Sequence, residues 1–204
     1  MSCPVFIVDD DASFAKSVAR LLKASGYETN TFPSAEEFLK AVTPETRGVL
    51  LLDLQMPGVN GLELQEVIIG AGIAMPIVFL TGQGDIPTTV HAMRRGAEDF
   101  LTKMAPSETL LSAVERALAR EARERQGHER LAELRRRFAT LTERELEVMG
   151  HVIRGKMNKQ IAADLGINER TVKLHRTNIT RKMQMRSVAE LTRCAKEAGL
   201  LEGT

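Results

Sequence analysis

The sequence predicts a doubly wound α/β domain with a five-stranded parallel sheet, followed by a small all-α domain of four helices. Three observations favour this fold: short apolar runs alternate with helical patterns in the first half, only helical patterns follow in the second half, and the two halves carry opposite charge. The 204 residues are 43% hydrophobic and 27% charged, with a net charge of +1. This composition excludes disordered and collagen-like chains.

Three continuous runs of four apolar residues, over 5–8, 49–52 and 77–80, are too short for helices. Such runs are typical of strands buried on both faces. Two further strands are predicted over 27–32 and 98–101. The five strands alternate with helical patterns, which is the order of a parallel sheet.

Helical patterns separate these strands and continue beyond them. Residues 14–22 repeat apolar side chains at intervals of three and four, and Ser34 opens a capping box that ends at Glu37. Residues 107–137 form one long helix or two joined ones, with a polar and therefore solvated middle. The expected organisation is a first domain over 1–118, a helical linker over 119–137 and a second domain over 138–204.

The charge is distributed unevenly between the two halves. Residues 1–120 carry a net charge of −5, whereas residues 121–204 carry +6. A basic half indicates a nucleic-acid partner. No apolar run reaches the roughly 18 residues of a membrane span, so we expect a cytoplasmic protein without a membrane partner. Cys3 and Cys194 form no disulfide or metal framework.

Polar side chains follow four of the predicted strands. The groups are Asp9, Asp10 and Asp11 after the first strand, Asp53 after the third, Thr81 after the fourth and Lys103 after the fifth. Because the carboxyl ends of parallel strands meet at one edge of the sheet, these groups should converge there. Clustered carboxylates repel one another and suit a hard divalent cation, Mg²⁺ or Mn²⁺. No His or Cys accompanies them, which argues against zinc.

The same groups are those needed to place a phosphoryl group on an aspartate. Asp53 would be the nucleophile, the metal and Lys103 would neutralise phosphoryl charge, and Thr81 would donate a hydrogen bond. Any one of these residues alone is equally consistent with a helix cap. The complete set favours phosphoryl chemistry.

The acids after the first strand, the segment 53–58, Thr81-Gly82 and Lys103 resemble the receiver domain of two-component response regulators over about residues 3–118. The resemblance implies that Asp53 accepts phosphate from a sensor histidine kinase. It also implies a metal site in which Asp10 and Asp53 bind directly, Asp9 binds through water and the backbone carbonyl of Gln55 completes the set. Phe100 matches the switch aromatic of that family.

One departure from the family occurs directly after the lysine, where Met104 replaces the usual proline. A cis bond to a non-proline residue costs about 2.5–4 kcal/mol, so the Lys103–Met104 bond is predicted to be trans. Pro106 then opens the next helix. The direction of the Lys103 side chain is left open.

The second half has the spacing of a helix-turn-helix. Thr142 and Glu145 form a capping box, Gly155 and Gly166 end helices, and Asn168 caps another helix. A final helix is predicted over residues 187–198. Residues 154–186 contain nine Lys and Arg against two acids, a net charge of +7.

Helical projection of residues 170–183 separates two faces. The predicted core face holds Val172, His175, Ile179 and Met183. His175 is therefore interpreted as a core histidine. The opposite face holds Arg170, Lys173, Leu174, Thr177, Asn178 and Arg181. This mixture of cationic, amide and hydroxyl groups with one apolar side chain suits a DNA major groove.

The segments 141–145, 158–162 and 171–175 resemble the LuxR-type DNA-binding domain, over about residues 138–200. Candidates for reading bases are Lys173, Leu174, Thr177 and Asn178. Candidates for phosphate contacts are Asn158, Lys159, Thr171, Arg176, Arg181 and Lys182.

Together the two resemblances predict a non-enzymatic transcription regulator of the NarL/FixJ class, closest to the FixJ branch by its segment 81–87. Phosphorylation would promote dimerisation through residues 86–118, promoter binding and, with RNA polymerase as a further partner, transcription activation. The final helix, with Val188, Leu191, Thr192 and Ala195, would form an effector dimer contact or pack within its own domain.

Three alternatives stay open. They are a DNA-binding regulator that needs no phosphate, an adaptor whose basic half binds protein, and a magnesium-dependent phosphohydrolase. The phosphohydrolase would need a second aspartate two residues after Asp53, and Gln55 occupies that position.

Overall fold

The computed structural model describes residues 3–82 and 86–200. Residues 83–85, part of the segment used to choose the FixJ branch, lie outside the described residues. The five predicted strands form one sheet in the order β2-β1-β3-β4-β5, and every neighbouring pair is parallel. The strands are β1 Val5–Val8, β2 Thr29–Phe32, β3 Val49–Asp53, β4 Ile77–Thr81 and β5 Asp99–Thr102. The predicted fold class is therefore confirmed.

Nine helices occur among the described residues. Those of the first half are α1 Ala12–Ala24, α2 Ala35–Ala41, α3 Gly61–Gly70 and α4 Ile86–Arg94, and one long helix, α5, covers Ser107–Ala139. Four more follow: α6 Glu143–Ile153, α7 Asn158–Leu165, α8 Glu169–Met183 and α9 Val188–Glu197. No described helix is both long enough and apolar enough to cross a membrane.

The apolar strand runs are explained by packing on both faces of the sheet. Leu50 and Leu52 of β3 belong to one buried cluster, and Val49 and Leu51 belong to the cluster on the other face. Alternate residues of a strand point to opposite faces, so a strand covered on both sides must be apolar throughout. Because all five strands are parallel, their carboxyl ends lie at one edge of the sheet.

The chain divides into two compact units, residues 1–124 and 125–204. The division falls inside the predicted linker, and the linker is not solvated throughout. Glu121 is buried in the first unit, and Leu134 and Phe138 belong to the core of the second. Arg130 also pairs with Glu197 of α9, at 2.8 Å between Nε and Oε1. Residues 125–139 of α5 are thus an integral part of the second unit.

Helix boundaries in the second unit follow the predicted caps. Thr142 and Glu145 form a complete capping box at the start of α6, and Asn168 accepts a hydrogen bond from Thr171 N at the start of α8. Gly166 ends α7 in the left-handed conformation, with φ 66°. Glycine adopts that conformation at least cost. The short turn between α7 and α8 completes a helix-turn-helix.

Candidate functional site

The predicted acidic cluster forms at the carboxyl edge of the sheet. Asp9 directly follows β1, Asp53 is the last residue of β3, and these side chains are 1% and 4% exposed. Asp10 lies beside them and is exposed, and the three residues each offer an oxygen within 4.8 Å of the others. Two of the carboxylates are therefore held in a setting that water screens poorly.

Lys103 bridges the two buried carboxylates. Its Nζ donates to Asp9 Oδ1 at 2.9 Å and to Asp53 Oδ2 at 2.9 Å. No described peptide bond is cis, so the predicted trans bond at Met104 is confirmed. Helix α5 begins one residue after Pro106, whose carbonyl oxygen accepts from Leu110 N. Replacement of the family's proline therefore still leaves Lys103 within reach of both aspartates.

Burial and charge oppose each other at this edge. Burial raises the pKa of the Asp9 carboxyl above its ordinary value, although the hydrogen bond from Lys103 lowers it. Burial alone would lower the pKa of the Lys103 ammonium, but its hydrogen bonds to Asp9 and Asp53 raise that pKa above the ordinary value. Lys103 thus stays charged.

The two predicted switch residues lie on the neighbouring strands. Thr81 ends β4 fully buried, and its carbonyl oxygen accepts from Lys103 N at 2.7 Å. Phe100 of β5 is half-buried, with its ring centroid 5.9 Å from that of Phe79. Their roles in switching stay predictions.

The donor set fits a hard divalent cation. Three carboxylates face one ammonium, so negative charge is in excess where two of the carboxylates are buried. All the donors are oxygen atoms, which Mg²⁺ and Mn²⁺ prefer. Gln55 donates its backbone N–H to Asp53 Oδ1 at 3.2 Å, and it lines the same open pocket as Asp10. Its carbonyl as a ligand stays a prediction.

The supporting roles of three residues at this edge were not predicted from the sequence. Asp11 caps α1, accepting from Ser13 N and Phe14 N, and these bonds lower its pKa. The Phe14 ring lies under Lys103 Nζ, 4.8 Å from the ring centroid to the nitrogen. A Cβ at Gly61 would collide with the carbonyl oxygen of Asp53, so α3 approaches the acceptor strand closely only because of that glycine. Of the three, only the cap could have been found from sequence.

Helix α8 presents the second candidate surface. Lys173 and Leu174 are exposed, Leu174 at 59%, and Thr177 is exposed with its hydroxyl donating to Lys173 O at 3.0 Å. Asn178 is half-buried and accepts from exposed Arg181 at 3.4 Å. The predicted base-reading residues therefore share one accessible side of α8.

The phosphate candidates differ in how free their polar groups are. Lys159 is exposed at the start of α7, and the Thr171 hydroxyl donates to Asn168 Oδ1 at 2.9 Å. Arg176 Nη1 donates to Asn158 Oδ1 at 3.2 Å. Lys182 differs from these residues because it forms an ion pair, with its Nζ 2.6 Å from Glu145 Oε2.

Two predictions about core packing are refined. Val172, Ile179 and Met183 are buried as predicted, whereas His175 is only half-buried. In α9, Leu191 and Ala195 belong to the core of their own unit, which favours packing within the domain for these two residues. Val188 is 40% exposed and is therefore available to a partner.

A doubly wound domain with an acidic sheet edge, followed along the chain by a helix-turn-helix, defines a class of DNA-binding signalling proteins. The family described as response regulator receiver domain matches residues 5–115, and that of bacterial regulatory proteins of the luxR family matches residues 139–195. The chain belongs to the response regulators of two-component systems, in the NarL/FixJ class that joins a receiver to a LuxR-type DNA-binding domain.

Similar proteins match this chain over most of their length. Nodulation protein W of Bradyrhizobium diazoefficiens is 42% identical over 196 residues, which cover 96% of this chain and 86% of that protein. Transcriptional regulatory protein FixJ of Azorhizobium caulinodans is 40% identical over 199 residues, covering 98% and 94%. The solved structure of response regulator StyR has a TM-score of 0.90 at 45% identity, covering 97% of this chain and all of that one.

Proposed function

We propose that Asp53 accepts a phosphoryl group from a sensor histidine kinase and that this modification strengthens promoter binding by α8. The observation that carries the proposal is the bridge from Lys103 to Asp9 and Asp53. It holds the Asp53 carboxylate in place and sets an ammonium where phosphoryl oxygens would need positive charge.

In this proposal an Asp53 carboxylate oxygen attacks phosphorus, and the bond from phosphorus to the kinase histidine breaks. The histidine leaves with the electron pair and takes up a proton, and an acyl phosphate remains on Asp53. Lys103 then donates to a phosphoryl oxygen. A divalent metal held by Asp9, Asp10, Asp53 and the Gln55 carbonyl would offset the remaining negative charge.

Transmission would run through the two adjacent strands. The Thr81 hydroxyl turns towards the phosphoryl group and Phe100 rotates inward, which reshapes the surface over residues 86–118. Helix α4 on that surface exposes Ile86, Val90 and Met93, at 80%, 43% and 42%. These residues recur at helical spacing, and an apolar stripe of this kind suits a contact between two receivers.

Dimerisation would bring two DNA-binding domains to adjacent half-sites, so that the second contact follows at high effective concentration. Lys173, Leu174, Thr177 and Asn178 would read bases. Asn158, Lys159, Thr171, Arg176 and Arg181 would contact phosphates. RNA polymerase recruitment and transcription activation complete the proposal.

The test compares DNA binding by wild type and Asp53→Asn, with and without acetyl phosphate. The duplex is one enriched from random sequence by the wild-type chain. We expect the phosphodonor to label wild type and tighten its binding, and to leave Asp53→Asn unchanged. Asp11→Asn is the matched control, because it is exposed and asparagine also caps helices, so labelling should persist.

Equal labelling of wild type and Asp53→Asn would rule out Asp53 as the acceptor. Labelling without tighter DNA binding would favour the regulator that needs no phosphate. Failure to bind any duplex would favour the adaptor.

A further inference from the structure

Glu145 is unusual for a residue of a capping box, because it is buried, with 3% of its surface exposed. Its Oε2 accepts from Thr142 N at 2.8 Å, which is the capping-box bond, and from Lys182 Nζ at 2.6 Å. A buried carboxylate is costly unless it is paired with a cation. Lys182 supplies that cation from the last turn of α8.

The Lys182 side chain points towards the interior of the second unit rather than towards solvent. Its Nζ also donates to the Thr140 carbonyl oxygen at 2.9 Å, and its side chain is 26% exposed. At about 100° per residue, Lys182 lies roughly 180° around α8 from Lys173, beside the core face. Its ammonium therefore joins three segments: the turn after α5, the start of α6 and the end of α8.

The neighbouring residue is held in a similar way. Met183 is fully buried, and its carbonyl oxygen accepts from Arg137 Nη1 at 3.2 Å. The last turn of α8 is thus tied to the rest of the second unit by side-chain bonds. The exposed side of α8 that carries Lys173 and Leu174 takes its direction from that anchored end.

We propose that Lys182 is a positioning residue for the recognition helix and not a contact to DNA phosphate. It acts through Glu145 and fixes the direction in which α8 presents its base-reading side chains. This inference rests on the proposed function, because it assumes that α8 reads DNA.

The alternative role has a physical cost. An ammonium has three N–H donors, and Glu145 and Thr140 use two of them. Movement of Nζ to a phosphate would leave the Glu145 carboxylate buried without its cation. Arg181, the adjacent residue, has no such commitment: it is exposed, and its Nη2 donates to Asn178 at 3.4 Å.

The experiment uses the full chain with Lys182→Met, Glu145→Gln and the double variant. Lys182→Arg is the conservative variant, and Arg181→Met is the matched control. DNA affinity is measured against salt concentration for the enriched duplex and for a scrambled duplex of equal length, at a temperature at which circular dichroism shows every chain folded. Thermal unfolding is measured in parallel.

We expect Lys182→Met and Glu145→Gln each to lower affinity for the enriched duplex roughly tenfold, with little effect on the scrambled one. The slope of log binding constant against log salt concentration should be the same for these variants as for wild type. For Arg181→Met, the magnitude of that slope should fall by about 0.9. The double variant should be no worse than either single one. Lys182→Arg should retain most of the specificity. A role in stability alone would lower the melting temperature and leave both affinities unchanged, and that result would overturn the proposal.

A reduced salt slope for Lys182→Met, with Glu145→Gln behaving as wild type, would also overturn it and would restore Lys182 to the phosphate contacts. Failure of the proposed function is distinguishable, since the wild-type chain itself would then show no salt-dependent DNA affinity.

Discussion

Each unit of the protein pairs a partly buried lysine with buried carboxylate, but positive and negative charge balance in only one of the two units. At the sheet edge, Lys103 bridges Asp9 and Asp53, with Asp10 close by, so negative charge is in excess. In the second unit, Lys182 meets one buried carboxylate, that of Glu145, and a backbone carbonyl.

Burial acts to raise the pKa of both Asp9 and Glu145, but the net shifts of the two pKa values are opposite. Burial raises the pKa of Asp9 despite Lys103. At Glu145, burial also acts to raise the pKa, but the hydrogen bonds from Lys182 and Thr142 outweigh it, and the pKa falls below its ordinary value. An unbalanced cluster thus retains capacity for added positive charge, whereas a balanced pair holds the fold together.

The largest expected effect comes from added metal. Mg²⁺ at 100-fold excess over its dissociation constant should stabilise the first unit by about 2.7 kcal/mol, because the cation offsets the excess carboxylate charge. Hydrogen exchange of β1 and β3 in the full chain measures this. Asp53→Asn should lose most of the response and Glu145→Gln should keep it. No protection of wild type by Mg²⁺ would contradict a metal role for the cluster.

A smaller effect is expected on acidification of the second unit. Because the folded pKa of Glu145 is lowered, its ionised form stabilises the fold fully above the ordinary pKa of about 4.5. This contribution is lost as the pH falls through the lowered value. Urea unfolding of wild type and Glu145→Gln between pH 6 and about pH 3 measures it. The difference between the two chains should shrink with acid, and a constant difference would refute the linkage.

The smallest effect concerns the ring beneath Lys103. Phe14→Leu keeps an apolar side chain but removes the π face, and should destabilise the first unit by about 0.5 kcal/mol. Urea unfolding in wild-type and Lys103→Met backgrounds isolates the interaction. The loss should vanish without the ammonium. An equal loss in both backgrounds would assign the effect to packing.

Sequence patterns were sufficient for most of the fold, because local signals agree with the tertiary structure. The apolar runs of β1, β3 and β4 have no alternative to burial on both faces, and the caps at Ser34, Thr142 and Asn168 form in the structure. The polar edge could be predicted as well, since parallel strands bring their carboxyl ends together.

Side-chain partners at long sequence separation could not be predicted. The sequence shows Lys182 as one more cation in a basic segment, but its partner Glu145 lies 37 residues away. The polar middle of α5 looked solvated throughout, yet Glu121 is buried in the first unit and Arg130 pairs with Glu197, 67 residues away. Such pairings depend on which faces of helices meet, and periodicity alone does not specify that.

By itself, the sequence determined the two fold classes and the position of Asp9, Asp53, Thr81 and Lys103 at strand ends, because hydrophobic period and strand polarity are local properties. Only the tertiary structure decided that Lys103 reaches both buried aspartates without the family's proline, and that Lys182 is committed to Glu145. Both outcomes follow from the cost of burying charge. A buried carboxylate is costly unless a cation lies beside it, and the packed backbone determines which lysine lies within reach.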